Sequence, residues 1–198
     1  MSLVVAVKRN GKVYLGADTQ TTSGGVRQTY LEEECRKIKR FDNGILLGAV
    51  GPKKGGKLIF SYPEIFTLPE NGELDKRYVV ENIAPKINEL LEENDLVNIE
   101  KDNPPVWRNA FVLAYKDKLF WLYKRGSVAT VDHFIAIGSG EYPAYPTLAK
   151  LDREEVCEDE KVNEALIKAL QVASTRKTAV SAPFFLINTE TQEFTIVK

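Results

Sequence analysis

Apolar positions along the chain change their spacing several times, and each change marks an element. Residues 3–8 and 12–17 are two apolar runs of strand type with Asn10-Gly11 between them. Asn-Gly in that position predicts a type I′ hairpin, because both central residues of that turn need positive φ. From Thr19 to Gly25 the chain is rich in Thr, Ser and Gly and predicts a loop. A charged strand near 34–41 turns at Asp42-Asn43-Gly44 into the apolar strand Ile45–Val50. Gly51–Gly56 then reads as a glycine-rich break, and 57–68 as helix interrupted by Pro63. Residues 77–94 predict an amphipathic helix, with Val79, Val80, Ile83, Ile87, Leu90 and Leu91 at helical spacing.

A polar stretch over 95–106, containing Pro104-Pro105, predicts an exposed loop. Residues 110–115 and 119–123 form another hairpin across Lys116–Lys118, 128–131 adds a strand, and 134–137 is a short buried one running into Gly138-Ser139-Gly140. Helical patterns cover 141–152 and 160–174, the second with Val162, Ala165, Leu166, Ala169, Leu170 and Ala173 on one stripe. Residues 184–187 and 194–197 close the chain as a last hairpin. Strand pairs alternating with helix pairs predict antiparallel sheets faced by helices. With no internal repeat and no low-complexity linker, residues 1–198 read as a single domain.

Composition narrows the function classes. The chain is 43% hydrophobic and 28% charged, which fits a folded globular protein. A formal net charge of −1 gives no global electrostatic case for nucleic acid or an anionic membrane. No apolar run approaches the roughly 20 residues of a membrane span. The first apolar run is broken by Lys8-Arg9-Asn10, unlike a signal peptide. Cys35 and Cys157, far apart and in no C-x-x-C spacing, read as reduced thiols of a cytoplasmic protein. The single histidine, His133, excludes a His-rich zinc site, and no metal or cofactor is expected. At the start of a strand, His133 reads best as a hydrogen-bonded structural imidazole.

The first hairpin carries the candidate chemistry. It brings the outer ends of its strands together, so Ser2 and Asp18 should lie close in space. Ser2 is small enough for aminopeptidase removal of Met1, which would expose an α-amine on a residue that also carries a hydroxyl. A hydroxyl is a poor nucleophile near pH 7 and needs an adjacent base; an α-amine of pKa about 8 is a reasonable one. Gly51-Pro-Lys-Lys-Gly-Gly-Lys57 also satisfies the G-x-x-x-x-G-K phosphate-loop spacing. Against that reading, Leu58 stands where a Mg²⁺-binding hydroxyl belongs, Pro52 removes an N–H, and no βαβ pattern surrounds it.

Four stretches in order carry a family resemblance: Ser2–Val13 with Gly16-Ala17-Asp18; Arg36–Phe41; Leu47–Gly51; and Ala136–Gly140. Together they resemble the proteasome β-subunit / HslV-like family of N-terminal nucleophile hydrolases. The resemblance implies an α+β fold, a four-layer αββα sandwich with two antiparallel sheets between helix layers. It implies that Ser2 is the N-terminal nucleophile, that Asp18 orients it and its lysine partner, and that Lys37 is that lysine. Gly51 aligns with the glycine whose N–H forms the oxyanion hole, and Ser139 with a serine bonding near the α-amine. The family's later Asp has no match: Thr178 stands in its place, with Ser181 left as the partner serine.

The activity so implied is hydrolysis of peptide bonds through an acyl-enzyme on Ser2, on polypeptide substrates, inside a homo-oligomeric ring. In the family an ATP-dependent unfoldase feeds such rings; this sequence identifies none. Two alternatives stay open: another N-terminal nucleophile amidase acting on a small amide, and a catalytically silent ring subunit. Taken singly, each residue also has a plain structural reading. Asp18 and Lys37 fit an ordinary ion pair, Gly51 a turn, and Ser139 a helix cap.

Overall fold

Two strands, β1 (Leu3–Arg9) and β2 (Lys12–Asp18), form the first hairpin, with Asn10 at φ 52° and Gly11 at φ 72°, as a type I′ turn requires. The computed structural model describes residues 2–23, 26–29, 36–99, 105–154 and 158–198. The further strands are β3 (Gln20–Ser23), β4 (Val26–Thr29), β5 (Ile38–Arg40), β6 (Leu46–Val50), β7 (Val97–Asn98) and β8 (Val106–Trp107). They are followed by β9 (Ala110–Tyr115), β10 (Lys118–Tyr123), β11 (Ser127–Thr130), β12 (Phe134–Gly138), β13 (Phe184–Asn188) and β14 (Thr195–Val197). The helices are α1 (Lys53–Phe60), α2 (Lys76–Tyr78), α3 (Ala84–Glu93), α4 (Glu141–Asp152) and α5 (Asp159–Arg176).

Two five-stranded sheets, both antiparallel, run in the orders β12-β1-β2-β13-β14 and β11-β10-β9-β6-β5. Alternation along each strand sorts their side chains into three apolar layers. In β1, Leu3, Val5 and Val7 meet Leu148 of α4 and Leu166 and Leu170 of α5. Val4 and Ala6 point the other way, onto Leu46 and Val50 of β6 and Val112 of β9. The odd-numbered Leu47, Phe111 and Leu113 cover the outer face of the second sheet, against Ile59, Ile83, Ile87 and Leu91. Helices, sheet, sheet and helices therefore stack as the αββα sandwich, and the sheets approach closely where Gly48 faces Val4. A Cβ at Gly48 would stand 2.8 Å from the Val4 methyl.

Several local expectations need correction. Within the loop expected from Thr19 to Gly25, residues 20–23 form a strand that pairs with 26–29 as a second hairpin, because β-branched Thr21 and Thr22 suit a strand. The expected glycine break at 51–56 is shorter: α1 starts at Lys53 and runs through Gly55 and Gly56. Within the expected helix 57–68, α1 reaches only Phe60, and Pro63–Ile65 makes one separate 3₁₀ turn. The 77–94 helix is present, but Val79–Ile83 has π-type bonding just ahead of Pro85. Pro85 has no N–H to give Glu81, and its ring crowds that carbonyl, so the turn widens. Val80, expected on the apolar face, is 43% exposed. Within the expected loop 95–106, β7 pairs with β8. Cys35, Cys157 and part of the strand expected at 34–41 lie outside the described residues. His133 Nδ1 lies 2.9 Å from Asp152 Oδ1, but the side chain is 65% exposed, not buried in a strand as expected.

Candidate active site

Five chain segments end at one edge of the sandwich. The start of β1 supplies Ser2, the end of β2 Asp18, and the residue before β5 Lys37. Gly51 follows β6, and Gly138-Ser139 end and follow β12. Antiparallel pairing explains the convergence: Leu3 is opposite Gly138, and Val4 is opposite Ala17.

Asp18 is fully buried, and its carboxylate organises the cluster. Oδ1 accepts the Leu3 N–H at 2.8 Å and the Lys37 Nζ at 2.6 Å; Oδ2 accepts the Gln20 N–H at 3.1 Å. Lys37 Nζ donates a second bond to the Gln20 carbonyl at 2.7 Å. The Lys37 side chain is 11% exposed, so this is no surface pair. Burial pushes the Asp18 carboxyl above its ordinary range, opposed by Lys37 and the two backbone N–H donors. Burial likewise lowers the Lys37 ammonium, opposed by Asp18. Each partner's charged form is thus supported by the other against the effect of burial.

Ser2 is buried and lines two clefts. One, of about 240 Å³, is lined also by Lys37, Gly51, Arg36, Lys57 and Phe60. The other, of about 570 Å³, is lined by Gly51, Ser139, Trp107, Trp121 and Tyr123. Ser139 Oγ donates to the Ser2 carbonyl over a long 3.4 Å. Gly138 has φ 107°, and a Cβ there would collide with that same carbonyl oxygen. Only glycine lets β12 close on Ser2 in this way.

The structure thus brings Ser2, Asp18, Lys37, Gly51 and Ser139 together. Ser181 is half-buried and lines neither cleft. Thr178 is exposed, and its carbonyl accepts the Gln20 Nε2 at 2.9 Å. Thr19 ties the same segment by donating to the Pro183 carbonyl at 2.8 Å. The Gly51–Lys57 run is not a phosphate cradle, since the Gly55 and Gly56 N–H groups both donate to the Pro52 carbonyl within α1. Among the described residues no group of three or more His, Cys, Asp or Glu gathers as a metal site. Among them, too, no helix is long and apolar enough to cross a membrane.

Sequence reasoning missed Asn109, which lies between β8 and β9 and is buried against the Gly51 turn. Its Nδ2 donates to the carbonyls of Val50 and Pro52, both at 3.0 Å. The signal was indirect: two glycines, Gly55 and Gly56, in a segment that proves helical.

Known proteins agree with this architecture. No curated protein matches the sequence. Among solved structures, Thiobacillus denitrificans BPH superposes with a TM-score of 0.72 at 20% identity, over 99% of this chain and 98% of that one. Anbu from Yersinia bercovieri gives a TM-score of 0.75 at 12% identity, over 99% and 87%. HslV from Trypanosoma brucei gives 0.67 at 17% identity, over 94% and 98%. A family model, described as proteasome subunit, matches residues 2–183. With that match spanning nearly the whole sequence, over a four-layer sandwich whose converging strand ends gather Ser2, Asp18 and Lys37, the chain belongs to the proteasome subunit family.

Proposed function

We propose that this protein is a peptidase of the proteasome/HslV type, a single domain of 198 residues that cleaves polypeptides through an acyl-enzyme on Ser2 and works as a homo-oligomeric ring. One observation carries the reading. Asp18 Oδ1 accepts both the Leu3 N–H and the Lys37 ammonium, which fixes a buried cation beside the residue that bears the hydroxyl.

With Met1 removed, the Ser2 α-amine takes the hydroxyl proton as Oγ attacks the substrate carbonyl carbon. The Lys37 charge stabilises the developing alkoxide and lowers the proton affinity of the neighbouring amine. The carbonyl oxygen becomes an oxyanion at the Gly51 N–H, a donor typically worth about 3 kcal/mol. The C–N bond then breaks, the amine returns its proton to the leaving nitrogen, and an ester remains on Oγ. Water, deprotonated by the same amine, attacks that ester and releases the acid. Asp18 touches none of the reacting atoms; it holds Lys37 charged and aimed.

Two open clefts that share Ser2 and Gly51 favour an extended chain over a small amide in a closed pocket. Thiobacillus denitrificans BPH, which shares the fold, is known in complex with epoxomicin, a first inhibitor to try here. One observation favours a catalytically silent subunit: exposed Thr178 stands where the resemblance calls for a carboxylate. Ser2→Ala separates the readings. It should abolish hydrolysis of a fluorogenic peptide amide and leave assembly, read by light scattering, unchanged. Equal turnover by Ser2→Ala would overturn the proposal, and a wild-type protein that assembles without turnover would support the silent subunit.

A further inference from the structure

We propose that Asn109 is a positioning residue that aims the Gly51 N–H at the reacting carbonyl. The inference rests on the peptidase reading above. Its physical basis is the geometry of one turn.

Gly51 is held at φ 109°, where a side chain would be strained, and its Cβ would stand 2.5 Å from the Arg108 carbonyl oxygen. Val50 is paired with Ala110 at the end of the β6–β9 ladder, and Asn109 secures the Val50–Gly51 peptide unit where that ladder stops. Its Nδ2 donates to the Val50 carbonyl and the Pro52 carbonyl, gripping the peptide unit that precedes Gly51 and the one that follows Pro52. In a planar trans peptide the C=O and the next N–H point in opposite directions. Holding the Val50 C=O on Asn109 therefore turns the Gly51 N–H away from Asn109. Among the described residues it donates to no backbone carbonyl, and Gly51 lines both clefts that meet at Ser2.

Both partners are carbonyls, so the amine end of Asn109 must face them; Oδ1 is buried with no hydrogen-bond partner among the described residues. Leaving a buried acceptor unpaired is unfavourable, and it is tolerated where the two Nδ2 bonds hold the amide in place. The helix beyond is shaped around this amide. A Cβ at Gly55 would overlap Asn109 Oδ1, which accounts for a glycine in the first turn of α1, where alanine would be the better helix former.

That overlap provides a test that leaves Asn109 itself intact. Gly55→Ala should dislodge the amide from the turn while suiting the helix. Asn109→Ala and Asn109→Asp remove the donor, the second without changing shape. Each variant is assayed as the assembled protein for kcat and KM on a peptide amide, with the melting temperature as the check on folding. The Gly51 amide is followed separately by nitrogen-15 NMR of glycine-labelled protein. Loss of one oxyanion donor lowers kcat by about 100- to 1,000-fold with little change in KM. We expect at least a 30-fold fall in kcat, KM within about threefold, and a shifted Gly51 resonance in all three variants. In the Asn109→Ala background, Gly55→Ala should add nothing, because the side chain it displaces is gone.

A kcat within threefold of wild type in Asn109→Asp and Gly55→Ala overturns the proposal, as does a multiplicative loss in the double variant. If wild type and Ser2→Ala are equally inactive, the peptidase reading has failed instead. The Gly51 resonance then still decides whether Asn109 orients the turn: a shift in Asn109→Asp upholds the clamp, and an unchanged signal refutes it.

Discussion

Asp18→Asn removes one charge from a site with no solvent to absorb the change. Asp18 is fully buried, and Lys37, 2.6 Å away, is left as a nearly buried ammonium with no counter-charge. The amide also has one oxygen where the carboxylate used two, so either the Leu3 N–H or the Gln20 N–H must face an NH₂ group. Removing one partner of a buried pair costs about 3–5 kcal/mol. For a chain of this length that corresponds to a melting temperature lower by roughly 6–20 °C. The dependence on pH has a definite sign. Burial holds Lys37 below 10.5, so between its folded pKa and 10.5 the unfolded chain binds more protons and stability rises with pH. Asp18 is raised above 3.8, so its contribution is complete below 3.8 and is lost as pH rises through its folded pKa. Without Asp18 to support its charge, Lys37 titrates lower still. The deficit of the variant therefore narrows as pH rises through that lysine's titration. Urea unfolding followed by circular dichroism at pH 7 and pH 9.5, at one protein concentration, reads both effects. Adding Lys37→Met should recover part of the loss, since an apolar pair removes the stranded charge. A cost under about 1 kcal/mol at pH 7, independent of pH and not relieved by Lys37→Met, would refute the buried pair.

Three further outcomes follow from the same geometry. Gly138→Ala places a Cβ against the Ser2 carbonyl and should lower turnover at least tenfold, while Gly11→Ala, with φ 72° but open space around it, should leave turnover unchanged in the same assay. Arg36 and Lys57 line the smaller cleft and no carboxylate does so among the described residues, so a peptide with Asp or Glu beside the scissile bond should show about fivefold higher kcat/KM than its Lys counterpart at low salt. That ratio should fall toward one in 1 M salt, where the Debye length is about 3 Å; equal rates at low salt would remove charge as a determinant. Sedimentation of dilute protein should show a closed oligomer, and a stable monomer of one chain mass would shift the reading to a small-amide hydrolase.

Much of this architecture was legible from period alone. The Asn10-Gly11 hairpin, the helices at 141–152 and 160–174, and the strand pairs at 110–123 follow from local pattern. What period could not supply were features set by distant contacts. Gly55 and Gly56 read as a break because glycine is a poor helix former, yet Asn109, more than 50 residues away, requires the space at Gly55. Pro85 lies inside a strong apolar stripe, so its widened turn was invisible to spacing, and Val80 fell on the wrong face as a result. At the site, the hairpin alone argued that Ser2 and Asp18 are close, and the order of matched stretches brought in Lys37, Gly51 and Ser139. Asn109 belongs to none of those stretches. Its role depends on a turn formed by another part of the chain.

The central claim is that Ser2, as a free N-terminal residue, carries the acyl group. Its most direct test is mass spectrometry of the wild-type protein quenched during turnover of a slowly hydrolysed peptide ester, followed by mapping of the N-terminal peptide. The account predicts a peptide that begins at Ser2 and bears the acyl mass, absent from Ser2→Ala. An acyl group mapped to any other residue, or full turnover by protein that retains Met1, would contradict it.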